Sequence, residues 1–178
     1  MAAVPVRHVA ARRTVAVLLA VAGAALLALQ HPIREQEARL SAWAIRGVGL
    51  VTARPLGTAV IFPLGHRFAG YTLSPGCTAA FLVAPFFFLF GGAVALAPRL
   101  PVRRALLALV VVAGIIFVVN QARLVVIAAA IEAWGFQLGY ERSHIFLGTV
   151  VSTLGLVFGL VAFAFTAGIG LPDRPGTS

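Results

Sequence analysis

The chain has 178 residues, of which 61% are hydrophobic and only 11% charged, a balance far from that of a soluble globular domain of this size. The formal charge of +9 rests on arginine, with no lysine. The arginines stand between apolar blocks rather than in one stripe, so a nucleic-acid partner is not expected and the charge reads as membrane topology. Cys77 is the single cysteine, which excludes an intrachain disulfide and a multi-cysteine metal site.

The expected fold is all-α: a polytopic transmembrane bundle of about four spans, with an interfacial helix and a loop on the outer face. A helix needs roughly 20 apolar residues to cross the hydrocarbon core. Four blocks qualify approximately, 14–29, 77–97, 105–133 and 145–170. They make a single membrane domain, 14–170, between a basic N-terminal tail, 1–13, and a C-terminal tail, 171–178. The first block follows Arg7, Arg12 and Arg13 and could be a cleaved signal peptide. No convincing cleavage site precedes Gln30, so an uncleaved anchor is favoured. Arg12 and Arg13, and the turn with Arg99, Arg103 and Arg104, fall on one side if there are four spans. By the arginine bias that side is cytoplasmic, and both tails lie there. The opposite side carries Arg34, Arg39, Arg46, Arg54, Arg67 and Arg142, diluted by four glutamates.

The outer loop, 30–76, is too polar to span and too apolar to be a free linker. Its first part places Leu40, Trp43 and Ala44 on one face, with Glu35 and Arg39 at helix-pair spacing, which predicts an interfacial helix anchored by Trp43. Its second part, from Val48 to Leu73, sets glycines and prolines around short β-prone pieces such as 60–62, and predicts a loop or short hairpin over the outer face.

Three features carry chemistry. Ser74-Pro75-Gly76-Cys77-Thr78 opens the second span, with Ser74 as cap, Pro75 at the first helical position and Cys77 in the first turn. Unpaired N–H groups at a helix start stabilise negative charge, on a thiolate or on an oxyanion. A lone cysteine in a membrane helix is more often a small apolar filler. Asn120-Gln121-Ala122-Arg123 interrupts the third span, with Asn120 and Arg123 on one face near the outer interface. A membrane arginine costs about 2.5 to 3.5 kcal/mol on insertion scales, so it faces a partner or a wet cavity, or snorkels to headgroups. Ser143-His144 begins the fourth span, where a histidine tends to stay neutral and suits a base. His66 is the competing histidine, while His8 and His31 have nothing reactive near them. Under one topology Cys77, Arg123 and His144 reach the same leaflet. A thiol, a guanidinium and an imidazole are the parts of acyl transfer through a thioester.

The order Cys77, then Asn120-x-x-Arg123, then His144-x-x-x-Gly148 resembles the signature of the exosortase/archaeosortase family. The resemblance implies a membrane cysteine protease or transpeptidase of the cytoplasmic membrane, with its active site facing outside. Its substrates would be membrane-anchored precursors whose C-terminal sorting signal consists of a short motif, a membrane helix and a basic tail. Cleavage near the motif would pass the new C-terminus to a lipid or glycan acceptor, as soluble sortases do on another fold. Cys77, Arg123 and His144 are then the catalytic residues, supported by Asn120, Ser74, Gly76 and Thr78. Thr78-Ala79 departs from the small residue and glycine that follow the cysteine in many members, and four spans is fewer than the eight or so of the best-known bacterial ones.

On this reading Cys77 attacks the substrate carbonyl, His144 moves protons, Arg123 holds the oxyanion and Asn120 orients Arg123. No metal and no organic cofactor is implied. The substrate helix would dock through small residues, for which Gly91, Gly92, Gly114, Gly155 and Gly159 are available, as they are for ordinary helix packing. The alternative from another class is a non-enzymatic assembly factor or accessory subunit, in which Arg123 pairs with a partner's carboxylate. A transporter fragment is weaker still without an internal repeat. The enzyme reading requires the sulfur, guanidinium and imidazole to lie within about one bridging water of each other.

Overall fold

The computed structural model describes residues 6–49 and 52–167, without the side chains of 6–8, 144–145, 147–148, 151–152 and 166–167. The expected C-terminal tail and the last residues of the fourth span lie outside the described residues. In chain order come helix α1 (Val6–Ala28), helix α2 (Gln30–Gly47), strands β1 (Arg54–Leu56), β2 (Ala59–Leu64) and β3 (Arg67–Thr72), and a short 3-10 turn (Pro75–Cys77). Three helices follow, α3 (Ala79–Leu96), α4 (Val102–Trp134) and α5 (Phe136–Ala167). Stretches of α1, α3 and α4 are long and apolar enough to cross a membrane, and α5 carries a shorter apolar run, Thr153–Phe165. Three of the four expected spans thus coincide with α1, α3 and α4, and the fourth falls on α5.

Chain chemistry sets the joints. Pro32 has no N–H to give to Ala28 and its ring would crowd that carbonyl, so α1 stops at Leu29 and α2 restarts with the proline in its first turn. The strands form an antiparallel sheet in the order β1-β2-β3. Both hairpins have two-residue loops, Gly57-Thr58 and Gly65-His66. Gly57 and Gly65 have φ of 58° and 60°, the left-handed conformation that the first position of such a loop demands. The outer loop therefore holds one strand more than a hairpin. Gly135, φ 78°, makes the turn between α4 and α5.

Two cores result. One joins α1, α3 and the first half of α4, through Leu19, Phe86, Phe90, Val94, Leu109 and Ile116. The other joins α2, the sheet and the second half of α4, through Ala42, Ile45, Phe62, Tyr71, Leu124 and Ile131. At 1.5 Å per residue, the 33 residues of α4 extend about 50 Å, well beyond a hydrocarbon core of about 30 Å. This helix carries one core on each half. The Tyr71 hydroxyl donates to the Leu124 carbonyl at 3.2 Å, tying the sheet to it.

The face that α2 buries is Glu37, Ala38, Ser41, Ala42 and Ile45, while Leu40 and Trp43 are exposed. The expected apolar face is thus present, pointing away from the protein as a membrane anchor should. Glu35 does not meet Arg39; its carboxylate lies 3.7 Å from His31. Arg12, Arg34 and Arg46 are seen to hold backbone carbonyls. Arg12 donates to Val94, Ala97 and Leu100 at 2.6 to 2.8 Å, closing the C-terminal end of α3, where free carbonyls and negative dipole attract a cation. Arg34 donates to Leu73 at 3.0 Å and Arg46 to Ala53 at 2.7 Å, fixing the sheet's two ends to α2.

Candidate active site

Cys77 ends the 3-10 turn, its N–H bonded to the Ser74 carbonyl at 2.9 Å. Pro75 takes the first position of the turn as expected. The cap does not fall where the sequence suggests. Thr78, extended at φ −88° and ψ 140°, caps α3 by accepting from the Ala80 N–H, so Cys77 precedes the helix instead of lying in its first turn. A threonine hydroxyl can take a first-turn donor as well as a serine can, and here Thr78 is the nearer one. The Ser74 hydroxyl instead donates to the Cys77 sulfur at 3.1 Å. Ser74, Pro75 and Gly76 are exposed and Cys77 is buried directly behind them. Gly76 is not forced by conformation, since its φ is not positive and a Cβ there would meet nothing within 4 Å.

Asn120 and Arg123, three residues apart on α4, share the face turned to this segment. Asn120 Nδ2 donates to the Cys77 carbonyl at 3.0 Å. An Arg123 Nη2–H points to the Cys77 sulfur at 3.7 Å, within reach of the large sulfur atom. Both side chains are buried. Asn120 thus grips the cysteine backbone through its amide nitrogen. Its Oδ1 is buried with no hydrogen-bond partner among the described residues. The arrangement keeps the sulfur under two donors, a hydroxyl and a guanidinium, which can neutralise charge developing there or on an adjacent oxygen.

One participant could not be anticipated from the motif. Glu37 of α2, 2% exposed, accepts through one oxygen from the Thr78 hydroxyl at 2.9 Å and the Ala79 N–H at 3.0 Å. Burial pushes its carboxyl above the ordinary range, opposed by these hydrogen bonds and by Arg34. Since the Ala79 and Ala80 N–H groups are occupied, they are not open to an oxyanion, and Arg123 is left as the charged donor beside the sulfur. One helical turn from Glu37, Ser41 donates to Gln121 of α4 at 2.8 Å, extending the polar layer. The only hint in the sequence is the i,i+4 pair Glu37 and Ser41 within a stripe of small residues.

The fourth helix begins earlier than expected. Helix α5 starts at Phe136, so residue 144 lies two turns inside it instead of at its N-terminus. The polar residues Gln137, Glu141 and Arg142 hide this start from a hydropathy reading. The argument for a neutral imidazole at a helix start therefore does not apply. The His144 side chain lies outside the described residues. Tyr140, one turn before it, is within electrostatic reach of both Cys77 and Arg123, so this end of α5 faces the site. His66, the competing histidine, sits exposed in the β2–β3 turn. Strand β3 carries it about 20 Å from the segment leading to Cys77.

A cavity of about 1150 Å³ opens between the second half of α4 and the first turns of α5, lined by Val126, Ala130, Trp134, Glu141, Ser143 and Phe146 among others. Neither Cys77 nor Arg123 lines it. Three of the glycines available for substrate docking are spent inside the bundle. A Cβ on Gly91 would lie 3.2 Å from the Ala16 carbonyl, one on Gly155 would touch Ile116 and one on Gly159 would strike the Phe86 ring, while one on Gly92 or Gly114 would meet nothing within 4 Å. Among the described residues no group of three or more His, Cys, Asp or Glu could hold a metal ion.

The family model for transmembrane exosortases matches residues 5–164. The chain belongs to that family. The match runs from α1 almost to the end of α5, so the sheet, the Cys77 turn and the Asn120–Arg123 face all lie inside the exosortase region. No curated protein and no solved structure matches the chain.

Proposed function

We propose that this exosortase is a cysteine transpeptidase of the cytoplasmic membrane, cleaving C-terminal sorting signals on the outer face. The observation that carries the reading is the buried Cys77 sulfur facing the Arg123 guanidinium at 3.7 Å, in a chain of this family. The sulfur attacks the scissile carbonyl, and the tetrahedral oxyanion forms beside Arg123. Collapse breaks the C–N bond, leaves an acyl thioester on Cys77 and releases the C-terminal helix as an amine that must take up a proton. His144 is the group proposed to move that proton. An amine, hydroxyl or water then attacks the thioester and frees the thiol. A lipid or glycan acceptor gives an anchored product and water gives plain hydrolysis.

Orientation follows from charge. Arg12 shares the end of the bundle that carries Arg99, Arg103 and Arg104, and Cys77 lies at the other end of α3. Arginine-dense ends tend to stay inside, which supports an outward-facing thiol.

The test replaces Cys77 by alanine in the native host and follows membrane proteins for an uncleaved C-terminal helix. A defined set of unprocessed precursors is expected, reproduced by H144A. An unchanged membrane proteome with the variant protein normally inserted would favour an accessory subunit that does no chemistry.

A further inference from the structure

Glu37 is conspicuous because a buried carboxylate is costly unless it is fully bonded. Only one of its oxygens is used. Oε1 takes the Thr78 hydroxyl and the Ala79 N–H, whereas Oε2 is buried with no hydrogen-bond partner among the described residues. The two bonds fall on the residues directly after Cys77. From the other side, Asn120 of α4 holds the Cys77 carbonyl at 3.0 Å. The cysteine therefore lies between two grips, α2 acting through Glu37 and α4 acting through Asn120. Each comes from a helix that belongs to the core on the sheet side of the site.

We propose that Glu37 is a positioning residue for the cysteine, fixing Thr78 and Ala79 so that the Cys77 sulfur stays against Arg123. It touches neither the sulfur nor any reacting atom in this arrangement. Its effect is transmitted through the backbone at Thr78. Without the grip, Thr78 and the start of α3 could turn away from α2, and a displacement of about 1 Å removes much of a donor's value at a reacting atom. The inference deepens the transpeptidase reading and rests on Cys77 being the nucleophile.

Cys77 is the only cysteine, so its alkylation can be followed in the intact protein without removing other thiols. The experiment measures the rate of alkylation by iodoacetamide against pH, in detergent micelles, for the wild type and for E37A and E37Q, each with and without R123A. In the wild type R123A is expected to slow alkylation about tenfold near neutral pH, since a guanidinium beside the sulfur favours the thiolate. In E37A the same change should have little effect, because the sulfur no longer faces the guanidinium, a coupling that a double-mutant cycle isolates. E37Q retains the accepting oxygen and should restore the Arg123 dependence. If E37A cannot be purified folded, T78A and T78S replace it, since only the serine keeps the hydroxyl donor. An undiminished Arg123 dependence in E37A, or in T78A, would overturn the proposal. Loss of that dependence in E37Q as complete as in E37A would also overturn it, since charge and not position would then be what matters. The assay needs no substrate, so its failure leaves the host processing test of Cys77 untouched.

Discussion

The two cores of the molecule solve different problems. The one formed by α1, α3 and the first half of α4 is built from large apolar side chains and close glycine contacts, with Phe90 and Phe163 meeting edge to face. Lipid tails are as apolar as these residues, so shape and van der Waals contact must hold the helices together. The core of α2, the sheet and the second half of α4 is also apolar inside but carries a polar layer, with Glu37, Ser41, Gln121 and Tyr71 hydrogen-bonded along it. On α4 the first core ends at Ile116 and the second begins at Leu124. Asn120 and Arg123 occupy the interval between them. A charged group at such a seam is screened from lipid by one core and supplied with polar neighbours by the other.

If the seam is where the chemistry resides, its loss should outweigh damage to either core. R123A is expected to lower precursor processing by about 100- to 1,000-fold, the range for losing one oxyanion donor, while leaving the helix content and melting temperature near the wild type. A variant that melts much earlier would instead make Arg123 a structural residue.

The glycines separate the cores next. A Cβ on Gly139 would strike the Ala130 carbonyl, a backbone atom that cannot turn aside. On Gly159 it would strike the far edge of the Phe86 ring, a side chain that can. G139A should therefore destabilise by about 3 kcal/mol and G159A by about 1 kcal/mol, the two ends of the overpacking range. Thermal unfolding in one detergent would compare them, and the reverse order would mean that the apolar core is the less yielding.

Arginines draw the same contrast at lower energy. Arg12 holds three carbonyls at the end of α3 and Arg46 holds one beside the sheet. R12A should cost about 2 to 3 kcal/mol and R46A about 1 kcal/mol, with charged hydrogen bonds as the basis. Equal losses would show that the number of carbonyls does not matter and that general charge does.

The apolar core was legible in the sequence because each span is a long run with no competing pattern. The polar core was not. Strands of six residues or fewer, one with Pro63 and one with Gly70 inside, give too little alternation to separate from loop, although Gly57 and Gly65 marked both turns. Helix α2 was legible, with Leu40 and Trp43 facing outward as an interfacial anchor should, but the face it buries, Glu37, Ala38, Ser41, Ala42 and Ile45, was not. Of the site, the Cys77–Arg123 pairing came from spacing and a shared end of the bundle. Glu37 was invisible because sequence distance says nothing about which loop residue returns to cover a helix start.

The smallest effect tests how the polar core tolerates the buried acid Glu37. Burial raises the Glu37 carboxyl above its ordinary value of 4.5, so the folded protein binds that proton more tightly than the unfolded chain does. The group then favours the folded state below the unfolded value, and this contribution is lost as pH rises through the folded one. Glutamine has no proton to lose. The melting temperature of E37Q relative to the wild type should accordingly rise as pH increases above about 4.5, then level off once the wild-type carboxyl is ionised in both states. A difference that instead falls as pH approaches 4.5 from below, and is flat above it, would mean that Arg34, the Thr78 hydroxyl and the first N–H groups of α3 outweigh desolvation. The polar core would then hold Glu37 as a stabilised anion, and its strength would lie in charge complementarity as much as in shape.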